Sequence, residues 1–190
     1  MRQPSIFSKI KREFGSHYDD MKFVASRANE ALSKSKQAIF ALHRDDVSGA
    51  QARLKEARTL LNACTKPITR HPDLLTDGQY QAALEEYTEA ALFAGYVERG
   101  VLDRVSGWDP SAATFLAGLC DATGEIVRFA TRSVIRGDRA AAERAFQTVD
   151  MTVAFLLDID LTGYLRTKAD QAKKNLRSLE QMMYELSLRK

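Results

Sequence analysis

The stretch SIFSKIKREFGSHYDDMKFVASRANEALSKSKQAIFALHR, Ser5 to Arg44, contains no proline, and its apolar residues fall at Phe7, Ile10, Phe14, Tyr18, Met21, Phe23, Val24, Ala28, Ala31, Leu32, Ile39, Phe40 and Leu42. Steps of mostly three and four are the period of an amphipathic helix, because residues at that spacing share one face. The spacing predicts one long helix, with Gly15 as the place where it would bend. The rest of the chain continues in the same manner. A second helix fits Val47 to about Cys64, stopped by Pro67 and Pro72, and a third fits Asp77 to about Val105. Gly107 and Pro110 separate that from a fourth, Ser111 to Ile135. Asp138 is a suitable N-cap for a fifth, to about Asp158, and a sixth runs from about Leu161 to Leu188. With no strand pattern or internal repeat, the expected fold is all-α: a single domain over residues 1–190, a bundle of six to seven helices with long N- and C-terminal helices. Long helices that outreach a core of this size, and helices as apolar as Leu84 to Val97, point to an oligomer.

The chain has 190 residues, of which 45% are hydrophobic, enough for one well-buried core and short for two domains. No segment approaches the roughly 18 continuous apolar residues of a membrane span. The start, MRQPSIFSKIKREF, is charged throughout and lacks the apolar core of a signal peptide, so a cytoplasmic protein is expected. Cys64 and Cys120 form no C-x-x-C pair and have no His at zinc-ligand spacing, which argues against a structural zinc and for buried free thiols. Charge is uneven. Residues 1–44 carry nine Lys or Arg against four acids and residues 166–190 carry seven against three, whereas 45–165 carry twelve against eighteen. If the terminal helices lie together, they offer phosphates a positive surface above an acidic centre; the same pattern is also that of ordinary solvated helix faces.

Two acidic pairs stand out in apolar surroundings: Glu86 with Glu89 in ALEEYTEA, and Asp121 with Glu125 in FLAGLCDATGEIVR. Spacings of three and four put each pair on one face of its helix, so two packed helices can direct four carboxylates to one point. On the helix beginning at Tyr80, the stripe Tyr80, Ala83, Leu84, Tyr87, Ala91, Ala94 is apolar, and Glu86 and Glu89 lie roughly opposite, beside Ala82, Phe93 and Val97. Glu85 falls on a different side and is expected in solvent. Clustered carboxylates need a hard cation, and Mg²⁺ or Mn²⁺ prefers all-oxygen coordination. The intervals Asp121, Glu125, Arg128, Arg132 are equally those of intrahelical ion pairs worth roughly 0.2–0.5 kcal/mol each. A di-iron centre of the Glu-x-x-His type is disfavoured, since His17, His43 and His71 are the only histidines and none lies three residues after a Glu. The same scarcity argues against a Ser-His-Asp triad, and no Gly-rich phosphate loop is present.

The strings KQAIFALHR (Lys36 to Arg44), ALEEYTEAALF (Ala83 to Phe93), FLAGLCDATGEIVRFA (Phe115 to Ala130) and RTKADQAKKNLRSLEQMMYELSLR (Arg166 to Arg189) together resemble the translin family, in the expected order and over nearly the whole chain. The resemblance is closer to translin-associated factor X, through the intact acids of E-Y-T-E-A and D-A-T-G-E and through the stretch from Ser8 to Arg44. It implies an all-α fold that assembles into a closed oligomeric shell, an octamer or a hetero-oligomer with a translin-like partner. It further implies a Mg²⁺-dependent endoribonuclease (Mn²⁺ as the alternative ion) that cleaves single-stranded RNA and leaves a 5′ phosphate and a 3′ hydroxyl. Glu86, Glu89, Asp121 and Glu125 would be the metal ligands and catalytic acids. Arg27, Lys34, Lys36, His43, Arg44, Arg166 and Lys168 would bind the nucleic-acid backbone. Ala117, Ala122, Phe115 and Thr88 depart from the residues usual at those places and bear on packing around the acids. The rival expectations are a non-catalytic translin-like binder of single-stranded DNA or RNA, and a helical scaffold for protein partners.

Overall fold

The computed structural model describes residues 4–105 and 107–188. Its helices are α1 (Ser5–Leu42), α2 (Val47–Ala63), α3 (Thr65–Arg70), α4 (Gly78–Arg99), α5 (Ala112–Ile135), α6 (Arg139–Leu157) and α7 (Gly163–Leu188), with a 3₁₀ turn at Pro72–Thr76 between α3 and α4. No strand occurs among the described residues, so the all-α expectation holds. So does the expectation of long terminal helices: α1 has 38 residues and α7 has 26, the two longest elements. Among these residues, no helix is long and apolar enough to cross a membrane.

Capping explains most of the boundaries. Asp46 accepts from the Gly49 amide, Asp77 from those of Gln79 and Tyr80, Ser111 from Thr114 and Asp138 from Ala141, each satisfying a first-turn N–H. Two expectations need correction. α4 stops at Arg99 rather than running to Val105, because Gly100 takes a left-handed φ of 76° and its N–H closes on Tyr96. Pro67 does not stop α2. It sits in the first turn of α3, where no intrahelical N–H is required, and α2 has already ended at Cys64. Helical geometry runs through Gly15 without a break.

The helices pack around the α4–α5 pair. α4 contacts α1, α2 and α5, whereas α5 contacts α4, α6 and α7. One apolar cluster joins the C-terminal part of α1 to α4, α5, α6 and α7 through Leu42, Phe93, Ile126, Val149 and Leu179. A second joins the middle of α1 to α2 and α4 through Val24, Leu61, Leu84 and Tyr87. The condition under which the basic ends would form one surface, α1 lying along α7, is not how these helices mainly pack. They flank the α4–α5 pair, α1 on α4 and α7 on α5. Burial along α1 starts only at Val24 and continues through Ala28, Ala31, Ser35, Ala38, Ile39 and Leu42. The preceding apolar residues Ile6, Phe7, Ile10 and Phe14 are exposed, Phe14 by 70%. Both cysteines are buried free thiols, as expected, and burial pushes each up to about 11.

Candidate functional site

The acidic pairs meet across the α4–α5 seam, and a glycine sets how closely. A β-carbon at Gly118 would lie 2.8 Å from Thr88 Cγ2 and 2.9 Å from the Glu89 backbone nitrogen, so a side chain there would have to push α5 off α4. Thr88 is fully buried at this contact, its hydroxyl donating back to the Leu84 carbonyl at 2.8 Å. One and two turns along α5 from Gly118, Asp121 and Glu125 come within electrostatic reach of Glu86 and Glu89.

Their electrostatics show the convergence. Burial pushes Glu89 up to about 8, and the charges of Glu86, Asp121 and Glu125 push in the same direction. Glu86 is raised by burial as well, with Asp121 and Glu125 adding to the rise and Lys36 opposing it. For Asp121, burial again raises the pKa, offset in part by a hydrogen bond from Lys168. Glu89 is therefore largely protonated at neutral pH when no cation is bound.

Basic groups reach this seam from both flanks. From α1, Lys36 Nζ lies 3.8 Å from Glu86, and His43, just past the end of the helix, bonds Glu125 through Nε2. The His43 ring is wedged against Phe93 with centroids 4.9 Å apart, and its Nδ1 is buried without a hydrogen-bond partner. From α7, Lys168 donates to Asp121 and lies 3.3 Å from Glu85. Burial alone would lower the Lys168 pKa, but hydrogen bonds with Asp121 and Tyr164 outweigh it and the ammonium stays charged. Arg128 lies 3.7 Å from Glu125, so the intrahelical ion pair expected from sequence is also present.

Glu85 was expected in solvent and is not. Its side chain is 20% exposed, and it accepts from the Tyr164 hydroxyl at 2.7 Å besides pairing with Lys168. Only the packing of α7 against the seam brings Tyr164 and Lys168 to Glu85; the four-residue interval between the two α7 residues was the available signal. Of the seven basic residues expected to bind nucleic acid, Lys36, His43 and Lys168 thus gather at the acids. The others make contacts elsewhere. Lys34 pairs with Glu56 at 2.6 Å, Arg27 with Glu30 at 3.2 Å and Arg166 with Asp170 at 3.4 Å, while Arg44 lies over the Phe40 ring. Arg44 and Lys36 also line an open groove of about 860 Å³ between α1 and α2, together with Arg53 and Asp46.

The oxygens of the four acids stand wider apart than a closed ligand set. Among the described residues, three metal-ligating atoms within 4.8 Å of one another occur at His17, His71 and Asp73 instead. The spread at the seam has a visible cause, since Glu86, Asp121 and Glu125 are each drawn to a different side chain, Lys36, Lys168 and His43.

Known proteins share this architecture. The translin family model matches residues 8–190. Among solved structures, apo-NeC3PO matches with a TM-score of 0.86 at 21% identity, covering 95% of this chain and 97% of that one. The complex of AfC3PO with duplex RNA matches with a TM-score of 0.85 at 21% identity, covering 97% and 99%. The crystal structure of AfC3PO gives 0.81 at 22% identity, covering 92% and 93%. At these identities the likeness is one of fold. No curated protein matches the chain by sequence.

Proposed function

The chain belongs to the translin family, and on that premise we propose that it is a metal-dependent endoribonuclease of the translin-associated factor X kind, cutting single-stranded RNA inside a closed oligomeric shell in the cytoplasm. The observation that carries the proposal is the convergence of Glu86, Glu89, Asp121 and Glu125 on one partly buried seam, where burial first and the neighbouring carboxylates second keep Glu89 protonated. Crowding four half-buried carboxylates together is costly unless something binds them. A donor set made only of carboxylate oxygens suits Mg²⁺ or Mn²⁺, and these four residues would hold it. Bound there, the ion supplies Lewis-acid activation of water and of a phosphodiester oxygen.

The chain's own residues supply the remainder. Glu89, protonated while no cation is bound, would become the carboxylate able to take the proton of the attacking water only once a cation has displaced its own proton. Lys168 keeps Asp121 and Glu85 in place from α7, and Tyr164 fixes Glu85. His43, immobilised against Phe93, orients Glu125. Lys36 is 62% exposed and shared between the seam and the α1–α2 groove, so Lys36, Arg44 and Arg53 provide a sequence-independent path for backbone phosphates towards the acids. The AfC3PO complex with duplex RNA lends weight to an RNA partner; the preference for single strands rests on the family resemblance. The uncovered stripe Ile6, Phe7, Ile10 and Phe14 is the candidate assembly surface, for an octamer of this chain or for a translin-like partner.

A second reading, a binder of single-stranded DNA or RNA without catalysis, is favoured by one observation: Asp121 and Glu125 already have basic partners in Lys168 and His43. Product chemistry separates the two. With Mg²⁺ and a labelled RNA, the nuclease leaves fragments with 5′ phosphates, and Asp121→Asn abolishes them. Tight RNA binding with no fragments would favour the binder, and 2′,3′-cyclic phosphate ends would refute the metal-activated water.

A further inference from the structure

His17 on α1 meets His71 and Asp73, two residues apart where α3 passes into the 3₁₀ turn, and the fold brings the two segments together. His17 lies on α1 ahead of its first buried residue, Val24. His71 ends α3 at φ −130° and ψ 84°, the extended conformation that a following proline favours, and Pro72 then starts the 3₁₀ turn that carries Asp73 in its first turn. One ligand atom from each of the three lies within 4.8 Å of the other two. His17 Nε2 is 2.7 Å from Asp73 Oδ2, and the two imidazole rings meet edge to face with centroids 5.0 Å apart.

Two further observations point to a ligand. His71 Nε2 is buried and has no hydrogen-bond partner, an unusual state for an imidazole nitrogen. Its nearest acid is Asp20, whose Oδ2 lies 3.5 Å away, too far for a hydrogen bond and close to the separation of two ligand atoms sharing one ion at bonds of about 2.0–2.2 Å. Asp20 is only 13% exposed and takes its other contact from Arg70 at 2.8 Å.

We propose that His17, His71 and Asp73 form a second metal site, separate from the α4–α5 seam, that takes a transition-metal cation of the Zn²⁺ class. Two imidazoles and a carboxylate are a ligand set that suits Zn²⁺ and Co²⁺ and is poor for Mg²⁺, whose preference is for oxygen. The side chains draw in around the ion, and Asp20 adds negative charge beside it. Such a site fastens α1 to the α3 corner where the helix leaves the core, fixing the direction of its projecting apolar half.

The test uses the untagged full chain in excess Mg²⁺, titrated with Zn²⁺ calorimetrically and with Co²⁺ by visible absorption. One equivalent of each ion binds, Co²⁺ shows the visible bands of a nitrogen-ligated site, and Zn²⁺ raises Tm. Binding weakens at least tenfold in His17→Ala and in His71→Ala and is unchanged in Glu89→Gln. Because His17 is 35% exposed, its variant keeps the wild-type fold even if His71→Ala does not. No binding in the wild type, binding that both histidine variants retain, or binding lost in Glu89→Gln would overturn the proposal.

Discussion

Glu89 is the residue where burial and like charge meet most sharply, and it makes a signed prediction. Burial raises its pKa from the ordinary 4.5 to about 8, so between those pH values the folded chain binds a proton that the unfolded chain releases. Stability therefore falls as pH rises from about 4.5 to about 8 and levels off above that. Glutamine mimics the protonated acid. With chelator present, Glu89→Gln melts higher than wild type at pH 8.5, by several degrees, and close to wild type at pH 4.5; equal Tm values at both would show that the seam does not strain this carboxylate. Mg²⁺ should narrow the high-pH gap by stabilising only the wild type. Lys168 makes the complementary case. Lys168→Met leaves Asp121 and Glu85 without their shared cation, so stability should drop by about 1–3 kcal/mol, measured by denaturant titration. At this scale the sequence was informative about which acids matter, because period alone puts Glu86 with Glu89 and Asp121 with Glu125. It could not reveal Glu85. That residue's surroundings are set by Tyr164 and Lys168 of α7, far along the chain, and the four-residue interval between those two does not say which helix they face. The same holds for His17, His71 and Asp73, whose meeting depends on how α1 passes the α3 corner.

Between elements, the α4–α5 seam depends on Gly118, and two glycines in helices give opposite expectations. A methyl at Gly118 meets Thr88 and the Glu89 backbone below 3.0 Å, and neither is the loose end of a long side chain. Gly118→Ala should cost about 1–3 kcal/mol through forced separation of the helices and should weaken Mg²⁺ binding at a temperature where the variant is still folded. Gly15, with nothing within 4 Å of a built β-carbon, lies inside α1. Gly15→Ala should stabilise by roughly 0.5–1 kcal/mol, since only the backbone entropy changes. Denaturant midpoints of the pair check both signs; a stable Gly118→Ala with full metal affinity would contradict the close-approach argument. Six helices were legible because the apolar period is strong and Asp138 and Ser111 announce two starts, whereas the short α3 and the 3₁₀ turn after it fell in what read as the break before α4. The ends were less so. Gly100 read as one more residue of an apolar helix until its left-handed φ ended α4, and Pro67 read as a stop where the first turn of α3 tolerates it.

For the whole molecule, α1 states the problem that assembly would solve. At about 1.5 Å per residue its 38 residues reach roughly 57 Å, and the first turns carry Ile6, Phe7, Ile10 and Phe14 exposed. Phe14→Glu should shift the chain to smaller species in sedimentation velocity while leaving helical content intact; an unchanged sedimentation coefficient would place the assembly surface elsewhere. The uneven charge of the two termini was visible in the sequence, but its arrangement was not. Pattern along a chain does not say which helices are neighbours, and α1 and α7 turn out to approach the acidic seam from opposite sides. The central claim is that this seam cuts RNA with the help of a divalent ion. Its most direct test is the purified chain with a labelled single-stranded RNA, in Mg²⁺ and in chelator, beside Glu89→Gln. The account predicts cleavage in Mg²⁺ that chelator and Glu89→Gln each abolish; cleavage that survives either one, or RNA held tightly and never cut, would contradict it.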